Sequence, residues 1–92
     1  MQFEWDGNNL RKIRAHRITQ AEVEEAIQND PLPFYEHDVD GELRIVYYSE
    51  TVAGRMLAVV VVEHEEAVRV VTAYDLNARQ RRQYLQRRFE GE

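Results

Sequence analysis

The stretch Phe3-Glu4-Trp5-Asp6-Gly7-Asn8-Asn9-Leu10-Arg11-Lys12-Ile13-Arg14-Ala15-His16 decides the fold of this 92-residue chain. Its aromatic start predicts a short β-strand. Asp6 is a favourable N-cap residue for a helix over about residues 7 to 16, because its side chain accepts hydrogen bonds from the first helical turn. Leu10 and Ile13, three residues apart, mark the apolar side of that helix. The chain is therefore expected to open with a strand that leads directly into a helix.

A second helix is predicted by the segment that follows. Thr19-Gln20-Ala21-Glu22 is a capping-box sequence, in which the Thr and Glu side chains each accept a hydrogen bond from the other's backbone N–H group. Val23, Ala26 and Ile27 give this helix a buried stripe. Asp30-Pro31 ends the helix, because proline lacks a backbone N–H and disfavours helical conformation in the residue before it.

Three strands are predicted in the second half of the chain. Residues 43 to 48 alternate between two side-chain faces, as strand residues do. Met56 to Val62 is apolar throughout, which is typical of a strand at the centre of a sheet. Residues 68 to 74 alternate again and predict the last strand. The polar segment Glu36 to Gly41 is expected to be a turn region.

The C-terminal segment predicts a third helix. Asn77 is a good N-cap residue, and Gln80 stands at the reciprocal position. The helix is expected to run to about Phe89, with Leu85 and Phe89 as apolar anchors. The whole pattern predicts an α+β fold with a mostly antiparallel sheet of about four strands, two N-terminal helices and one C-terminal helix, in a single domain over residues 1–92. Helices packed on one face of the sheet would leave its other face open.

Composition and charge narrow the class of protein. The chain has no cysteine, so disulfides and Cys-based metal sites are excluded. We find no secretory signal and no apolar run long enough to span a membrane, so a cytoplasmic location is expected. The net charge of −5 makes the chain a poor general binder of nucleic acid. The charges are segregated, however, because residues 7–17 and 76–92 are rich in Arg while residues 18–42 carry eight acids and no Lys or Arg.

The ordered set of motifs resembles the BrnT family, whose members are small ribonuclease toxins of bacterial type II toxin–antitoxin pairs with a fold related to the RelE toxins. The resemblance begins with Phe3-x-Trp5-Asp6 and with the spacing of Lys12 and His16. It continues through nearly the whole chain in Ile18-Thr19, Glu22, Ala26, Asp30-Pro31, Arg44, Tyr48-Ser49, Gly54-Arg55, Val59 to Val62, Arg69 to Ala73 and Arg79 to Tyr84.

Two positions depart from the family pattern. The His is usually followed by Gly, whereas Arg17 follows His16 in this chain. The family commonly has one or two Arg directly after the position of Ala73, whereas this chain has Tyr74-Asp75 there. The second departure removes positive charge where a toxin of this type would meet RNA.

The resemblance implies a metal-independent endoribonuclease without a cofactor, which inhibits translation by cleaving RNA. It also implies a small ribbon-helix-helix antitoxin as partner, which blocks the active face and binds operator DNA. A homodimer or a toxin–antitoxin heterotetramer is compatible with this expectation. The alternative is a catalytically inactive protein-interaction module on the same fold, which the acidic balance and Tyr74-Asp75 favour.

Proton transfer in RNA cleavage needs a base for the 2′-OH and an acid for the leaving 5′-oxygen. His16 is the best candidate, and Lys12, one helical turn earlier, lies on the same face. The structural alternative, which the sequence favours, is that His16 caps the C-terminus of the first helix and complements its dipole. The other histidines, His37 and His64, lie in acidic turns and are expected to be surface residues.

Arginines supply the candidate phosphate contacts. Arg44 and Arg69 are expected either to converge on one sheet face as a phosphate clamp or to form ion pairs with Glu42, Glu63 or Glu66. Asp75 is expected to shape the turn before the last helix. The candidate catalytic residues are Lys12, His16, Arg69 and Arg82; the candidate RNA-binding residues are Arg44, Arg55, Tyr74 and Arg79; no metal ligands are predicted.

Overall fold

Eight helices and strands make up most of residues 2–90, the part of the chain that a computed structural model describes. The helices are α1 (Gly7–Ala15), α2 (Gln20–Gln28) and α3 (Ala78–Glu90). The strands are β1 (Gln2–Glu4), β2 (Leu32–Val39), β3 (Glu42–Glu50), β4 (Met56–His64) and β5 (Ala67–Asp75). The expected α+β class is confirmed, while the expected domain limits at residues 1 and 92 lie outside the described residues.

The strands form one sheet in the order β1-β5-β4-β3-β2. β1 pairs with β5 in parallel, and the other neighbouring pairs are antiparallel. The sheet therefore has five strands, where the sequence predicted about four. The expected turn over residues 36–41 is wrong, because residues 36–39 belong to β2 and the chain turns at Asp40 and Gly41. β2 is an edge strand, which is where charged side chains are tolerated in a sheet.

The turn between β2 and β3 fixes the register of these two strands. Asp40 and Gly41 have φ values of 53° and 81°. Positive φ at both central residues is the pattern of a type I′ turn, whose twist matches that of a hairpin. The resulting register places His37 opposite Arg44 and Val39 opposite Glu42.

Helix α1 begins as the sequence predicts and ends at a left-handed residue. The carboxylate of Asp6 accepts a hydrogen bond from the first turn at 2.8 Å. At the other end, the N–H of Arg17 donates to the carbonyl of Arg14, and the N–H of Ile18 donates to the carbonyl of Ile13. These two bonds are the pattern of a Schellman motif, which requires the left-handed conformation that Arg17 adopts, with φ 57°.

Helix α2 is capped as expected and is attached to the sheet at its end. Thr19 and Glu22 form the predicted capping box. The hydroxyl of Ser49, buried on β3, donates to the carbonyl oxygens of Ala26 and Asn29 at 2.7 and 3.2 Å. These bonds attach the C-terminal end of α2 to β3, where the carbonyl of Ala26 also accepts from the N–H of Asn29.

Both faces of the sheet carry a hydrophobic core. On one face, α1 and α2 pack Ile13 and Val23 against strand residues such as Val59. On the other face, α3 packs Tyr84 against residues that include Tyr48. The expectation of a wholly open face is therefore wrong, and the open area is the end of the second face beyond α3. The two basic helices, α1 and α3, lie on opposite faces.

The anchors of α3 differ from those predicted. Tyr84 is fully buried and Leu85 is partly buried, but Phe89 is 68% exposed. Phe89 stands five residues after Tyr84, which places it about 140° around the helix from the buried face. The last turn is held instead by Arg88, which donates to the carboxylate and the carbonyl of Asp30 at 2.9 and 2.6 Å.

The start of α3 follows the sequence. The side chain of Asn77 accepts from the N–H of Gln80 at 2.8 Å, and the side chain of Gln80 accepts from the N–H of Asn77 at 2.9 Å. This exchange confirms the predicted cap.

None of the helices in residues 2–90 has both the length and the apolar character needed to cross a membrane.

Candidate functional site

Two arginines converge on one carboxylate at the uncovered end of the sheet. Arg44 on β3 and Arg69 on β5 both contact Glu42. Nη2 of Arg69 lies 2.6 Å from Oε2 of Glu42, and Nε of Arg44 lies 3.7 Å from Oε1. We refer to Arg44 and Arg69 as the arginine pair. The sequence left open whether Arg44 and Arg69 converge on one sheet face or form ion pairs. In the structure they do both, because the two side chains share a face and both contact Glu42.

Strand alternation brings the arginine pair together. Glu42 and Arg44 are two residues apart on β3, so their side chains share a face. Arg69 lies opposite Val62 of β4, the strand between β3 and β5. The side chains of Arg44, Arg69 and Glu42 are 33%, 34% and 35% exposed. A single carboxylate therefore accompanies two guanidinium groups that solvent and ligands can reach.

The arginine pair has more hydrogen-bond donors than Glu42 can accept from. The Nε atoms of Arg44 and Arg69 are buried and have no hydrogen-bond partner within residues 2–90. A guanidinium has five N–H donors, whereas one carboxylate offers only two oxygens. Because the two Nε atoms are shielded, an incoming anion would meet the Nη groups of these partly exposed side chains, and a phosphate has several oxygens for such contacts.

Arg55, which the sequence predicts to bind RNA, is surrounded by carboxylates and backbone carbonyls. Its Nε and Nη2 donate to the two oxygens of Asp75 at 2.7 and 3.0 Å. Its Nη1 donates to Oε2 of Glu22 at 3.2 Å and to the carbonyl of Arg17 at 2.9 Å. Nη2 also donates to the carbonyl of His16 at 3.3 Å. These contacts join the end of β5 to the loop between α1 and α2.

The charges around Arg55 stabilise one another. Hydrogen bonds with Asp75 raise the pKa of Arg55, and the same bonds hold the pKa of the Asp75 carboxyl below its ordinary value. The pKa of Glu22 is also lowered, first by a hydrogen bond from the backbone of Thr19 and then by Arg55. Asp75, which the sequence assigns to the turn, is therefore the main partner of Arg55. Arg55 has few free donors left for an RNA phosphate.

His16 occupies the C-cap position of α1 that the sequence favoured. Its side chain is exposed, and its ring centroid lies 6.3 Å from that of Tyr74. The charge of His16 also lowers the pKa of Asp75, to a smaller extent than Arg55 does. Arg55 and His16 therefore both lie close enough to Asp75 to act on its charge.

The structure places the candidate residues in separate areas. Arg69 and Asp75 are six positions apart on β5, so the arginine pair lies about 20 Å from the residues around Asp75. Lys12 is exposed on α1, and Arg79 and Arg82 are exposed on α3. None of these three forms an ion pair with another residue of the described part of the chain.

His37, which the sequence places in a turn, lies on β2 directly opposite Arg44. Its ring is stacked near that of Tyr35, with centroids 6.3 Å apart. The ring of Tyr35 in turn lies edge-on to that of Tyr48, which belongs to the core beneath α3, with ring centroids 6.1 Å apart. His37 therefore faces the same side of the sheet as the arginine pair. The alternation of side chains from 35 to 39 was a signal for this strand, but the acids and Gly41 nearby favoured a turn.

These features define a small α+β protein whose uncovered sheet end presents cationic groups suited to phosphate. Residues 5–80 match the family model described as the ribonuclease toxin, BrnT, of type II toxin–antitoxin systems. The chain therefore belongs to the BrnT family. Membership indicates a toxin with ribonuclease activity and an antitoxin partner. No curated protein matches the chain significantly. Within residues 2–90, no group of three or more His, Asp or Glu side chains is arranged to hold a metal ion.

Proposed function

We propose that this chain is a bacterial toxin that inhibits translation as a metal-independent endoribonuclease. The observation that carries the proposal is the convergence of Arg44 and Arg69 at the uncovered end of the sheet, in a member of the BrnT family. Their side chains are 33% and 34% exposed, so their Nη groups can contact the phosphodiester backbone of single-stranded RNA. The reaction needs no cofactor in this proposal, because the 2′-OH of RNA supplies the nucleophile.

The proposed roles follow the charge that develops during cleavage. As the 2′-oxygen attacks phosphorus, negative charge grows on the phosphate oxygens, and the arginine pair stabilises it. A base must accept the proton of the 2′-OH, and an acid must protonate the leaving 5′-oxygen. His16, with Lys12 one turn earlier, is the candidate for proton transfer that the sequence supplies, but it lies about 20 Å from the arginine pair and cannot act on the same phosphate.

The remaining candidate residues are proposed to bind the rest of the RNA. Arg79 and Arg82 are exposed on α3, where their charges attract phosphates that flank the cleaved bond. Tyr74 is only partly buried, so its ring is available to stack on a base. Arg55 is proposed to support RNA binding indirectly, by holding the loop that carries His16 in place.

We propose a ribbon-helix-helix antitoxin as the partner, as the family resemblance implies. We propose the cytoplasm as the location, because translation and its RNAs are found there. The antitoxin would cover the arginine pair and bind operator DNA. β2 is an edge strand, whose free backbone groups offer a pairing surface for another chain. A homodimer or a toxin–antitoxin heterotetramer is compatible with that edge.

A second candidate function is a protein-interaction module without catalysis. The observation that favours it is the neutralisation of Arg55 by Asp75 and Glu22, in a chain with a net charge of −5. This candidate predicts normal growth and intact RNA in cells that express the chain alone.

Expression of the chain in a bacterial host, without an antitoxin, separates the two candidates. We expect growth arrest and loss of total RNA with the natural chain and with Arg14→Ala, an exposed-arginine control on α1. We expect Arg69→Ala to reduce RNA cleavage by about 100-fold, because a cation at the developing charge is lost. Normal growth at confirmed soluble expression would support the interaction module, and full toxicity of Arg69→Ala would overturn the site.

A further inference from the structure

We propose that His37 is the proton-transfer residue of a catalytic site formed with the arginine pair. The ribonuclease site would then lie at the uncovered end of the sheet, about 20 Å from the residues around His16 and Asp75. This inference rests on the proposed ribonuclease function and adds to it a catalytic residue that the sequence did not indicate.

The sheet register places His37 beside the phosphate-binding groups. His37 and Arg44 are a directly opposed pair on β2 and β3. The Cβ atoms of such a pair are about 5 Å apart. Arg69 reaches the same place from β5, since its guanidinium contacts Glu42 on β3. An imidazole and two guanidinium groups therefore occupy one side of three strands.

The acids near His37 do not compete for this role. Glu36 and Asp38 flank His37 in sequence, so strand alternation directs them to the opposite face. The charged groups on the neighbouring strands that share this face with His37 are the arginine pair and Glu42, and Arg87 of α3 lies farther along the face, over the ring of Phe34. Both oxygens of Glu42 are directed at the arginine pair, which leaves the imidazole as the group free to accept a proton. An imidazole is the side chain that exchanges protons most readily near neutral pH.

His16 lacks a comparable site for a phosphate. Its cationic neighbour Arg55 donates to both oxygens of Asp75 and to Glu22. A phosphate close enough for His16 to act on its sugar would also meet the charge of Asp75, which would repel it. A proton acceptor and two partly exposed guanidinium groups that can bind a phosphate lie together at His37.

A groove beside Tyr35 offers a place for a nucleobase. Tyr35 is 47% exposed and lies two residues before His37 on β2. An aromatic face stacks on an unpaired base, and amide side chains donate to and accept from its edge. The substrate class is therefore single-stranded RNA with an unstacked base. The groove has a volume of about 260 Å³ and is lined by Phe34, Tyr35, Gln83, Gln86 and Arg87.

The proposed step is an internal transfer within the RNA. The 2′-oxygen forms a bond to phosphorus, and its proton passes to the imidazole of His37. The bond between phosphorus and the 5′-oxygen breaks, and that oxygen takes a proton from water or from the imidazolium. The products are a 2′,3′-cyclic phosphate and a free 5′-hydroxyl. Arg44 and Arg69 hold the charge on the phosphate oxygens throughout.

The test compares His37→Ala with His16→Ala, which removes the rival candidate for proton transfer, and with His64→Ala as the matched control, in the purified full-length chain. Cleavage of total bacterial RNA is measured with and without added imidazole. Binding is measured with a single-stranded oligodeoxynucleotide, which lacks the 2′-OH and cannot be cleaved by this step. We expect His37→Ala to cleave at least about 100-fold more slowly and imidazole to restore part of the rate. We expect binding to stay within about twofold, because the arginine pair is intact.

The outcomes separate the catalytic role from a structural one and from failure of the ribonuclease function. Retained cleavage by His37→Ala, with loss in His16→Ala, would overturn the inference and leave the ribonuclease in place. Loss of cleavage together with loss of oligonucleotide binding, and without rescue by imidazole, would also overturn it. A natural chain that leaves total RNA intact would overturn the ribonuclease function and this inference with it. His64→Ala is expected to behave as the natural chain.

Discussion

Arg17 occupies a backbone position that favours glycine. Its φ of 57° is required by the bonds that end α1, and a side chain in this left-handed region costs about 1 kcal/mol. The Gly that the resemblance leads us to expect after His16 would adopt this conformation without steric cost. The carbonyl of Arg17 accepts from Arg55, which helps to hold the strained residue in place.

Arg17→Gly is expected to raise the free energy of unfolding by about 1 kcal/mol, because glycine enters the left-handed region without steric cost. Urea denaturation measures the change. Arg17→Ala is the matched control, since it removes the charge and keeps the Cβ atom. An equal gain in both variants would assign the effect to charge and not to backbone conformation.

Because of Asp75, the free energy of unfolding is expected to change with pH in the acid range. Arg55 lowers the pKa of Asp75 in the folded chain, below its ordinary value of 3.8. The interaction therefore contributes stability in full above the unfolded pKa, and this contribution is lost as the pH falls through the lower, folded pKa. Asp75→Asn is expected to show less loss of stability than the natural chain when the pH is lowered from about 5 to about 3.

Thermal unfolding across this pH range tests the role of Asp75. Glu66→Gln is a suitable control, because it removes one exposed acid that has no ion pair within residues 2–90. The control should keep the acid dependence of the natural chain. If Asp75→Asn keeps that dependence as well, the pairing with Arg55 does not stabilise the fold.

At the scale of elements, the β2–β3 hairpin positions the proposed site. Its turn sets His37 opposite Arg44 and places Glu42 at the start of β3. Because a shift of one residue would move every side chain to the other face, the turn determines whether these groups meet. The hairpin is therefore part of the catalytic proposal as well as of the fold.

Gly41→Ala is expected to lower the free energy of unfolding by about 1 kcal/mol, because Gly41 has φ 81° and alanine is strained there. Gly7→Ala is the matched control. A Cβ atom at Gly7 would meet its nearest neighbour, Nη1 of Arg11, at an ordinary 3.8 Å, and the helical position suits alanine. Chemical denaturation compares the two variants. Equal losses would show that the turn conformation is not the cause.

At the scale of the whole molecule, the sheet separates the charged segments of the chain. α1 packs on one face and α3 on the other, so the two basic helices do not form one layer. The positive charge that remains accessible on the sheet belongs to the arginine pair. This arrangement would allow an acidic chain to present the proposed phosphate site without being a general binder of nucleic acid.

The helix caps could be predicted from the sequence, whereas the full length of β2 and the exposure of Phe89 could not. The caps at Asp6, Thr19 and Asn77 were predictable, because each depends on residues within one turn of helix. β2 was underestimated because its polar residues resemble a turn when the neighbouring strand is unknown. Phe89 was assigned to the core because apolar character alone does not show where a helix leaves the sheet.

The sequence by itself determined the class of fold, the helix ends and the family, since these depend on local periodicity, capping and ordered motifs. Only the tertiary structure decided which charges meet. The contact of Arg69 with Glu42 and that of Arg55 with Asp75 join residues far apart in the chain. Such contacts depend on strand order and register, because each strand offers its side chains to one of two faces and to whichever neighbours the sheet supplies.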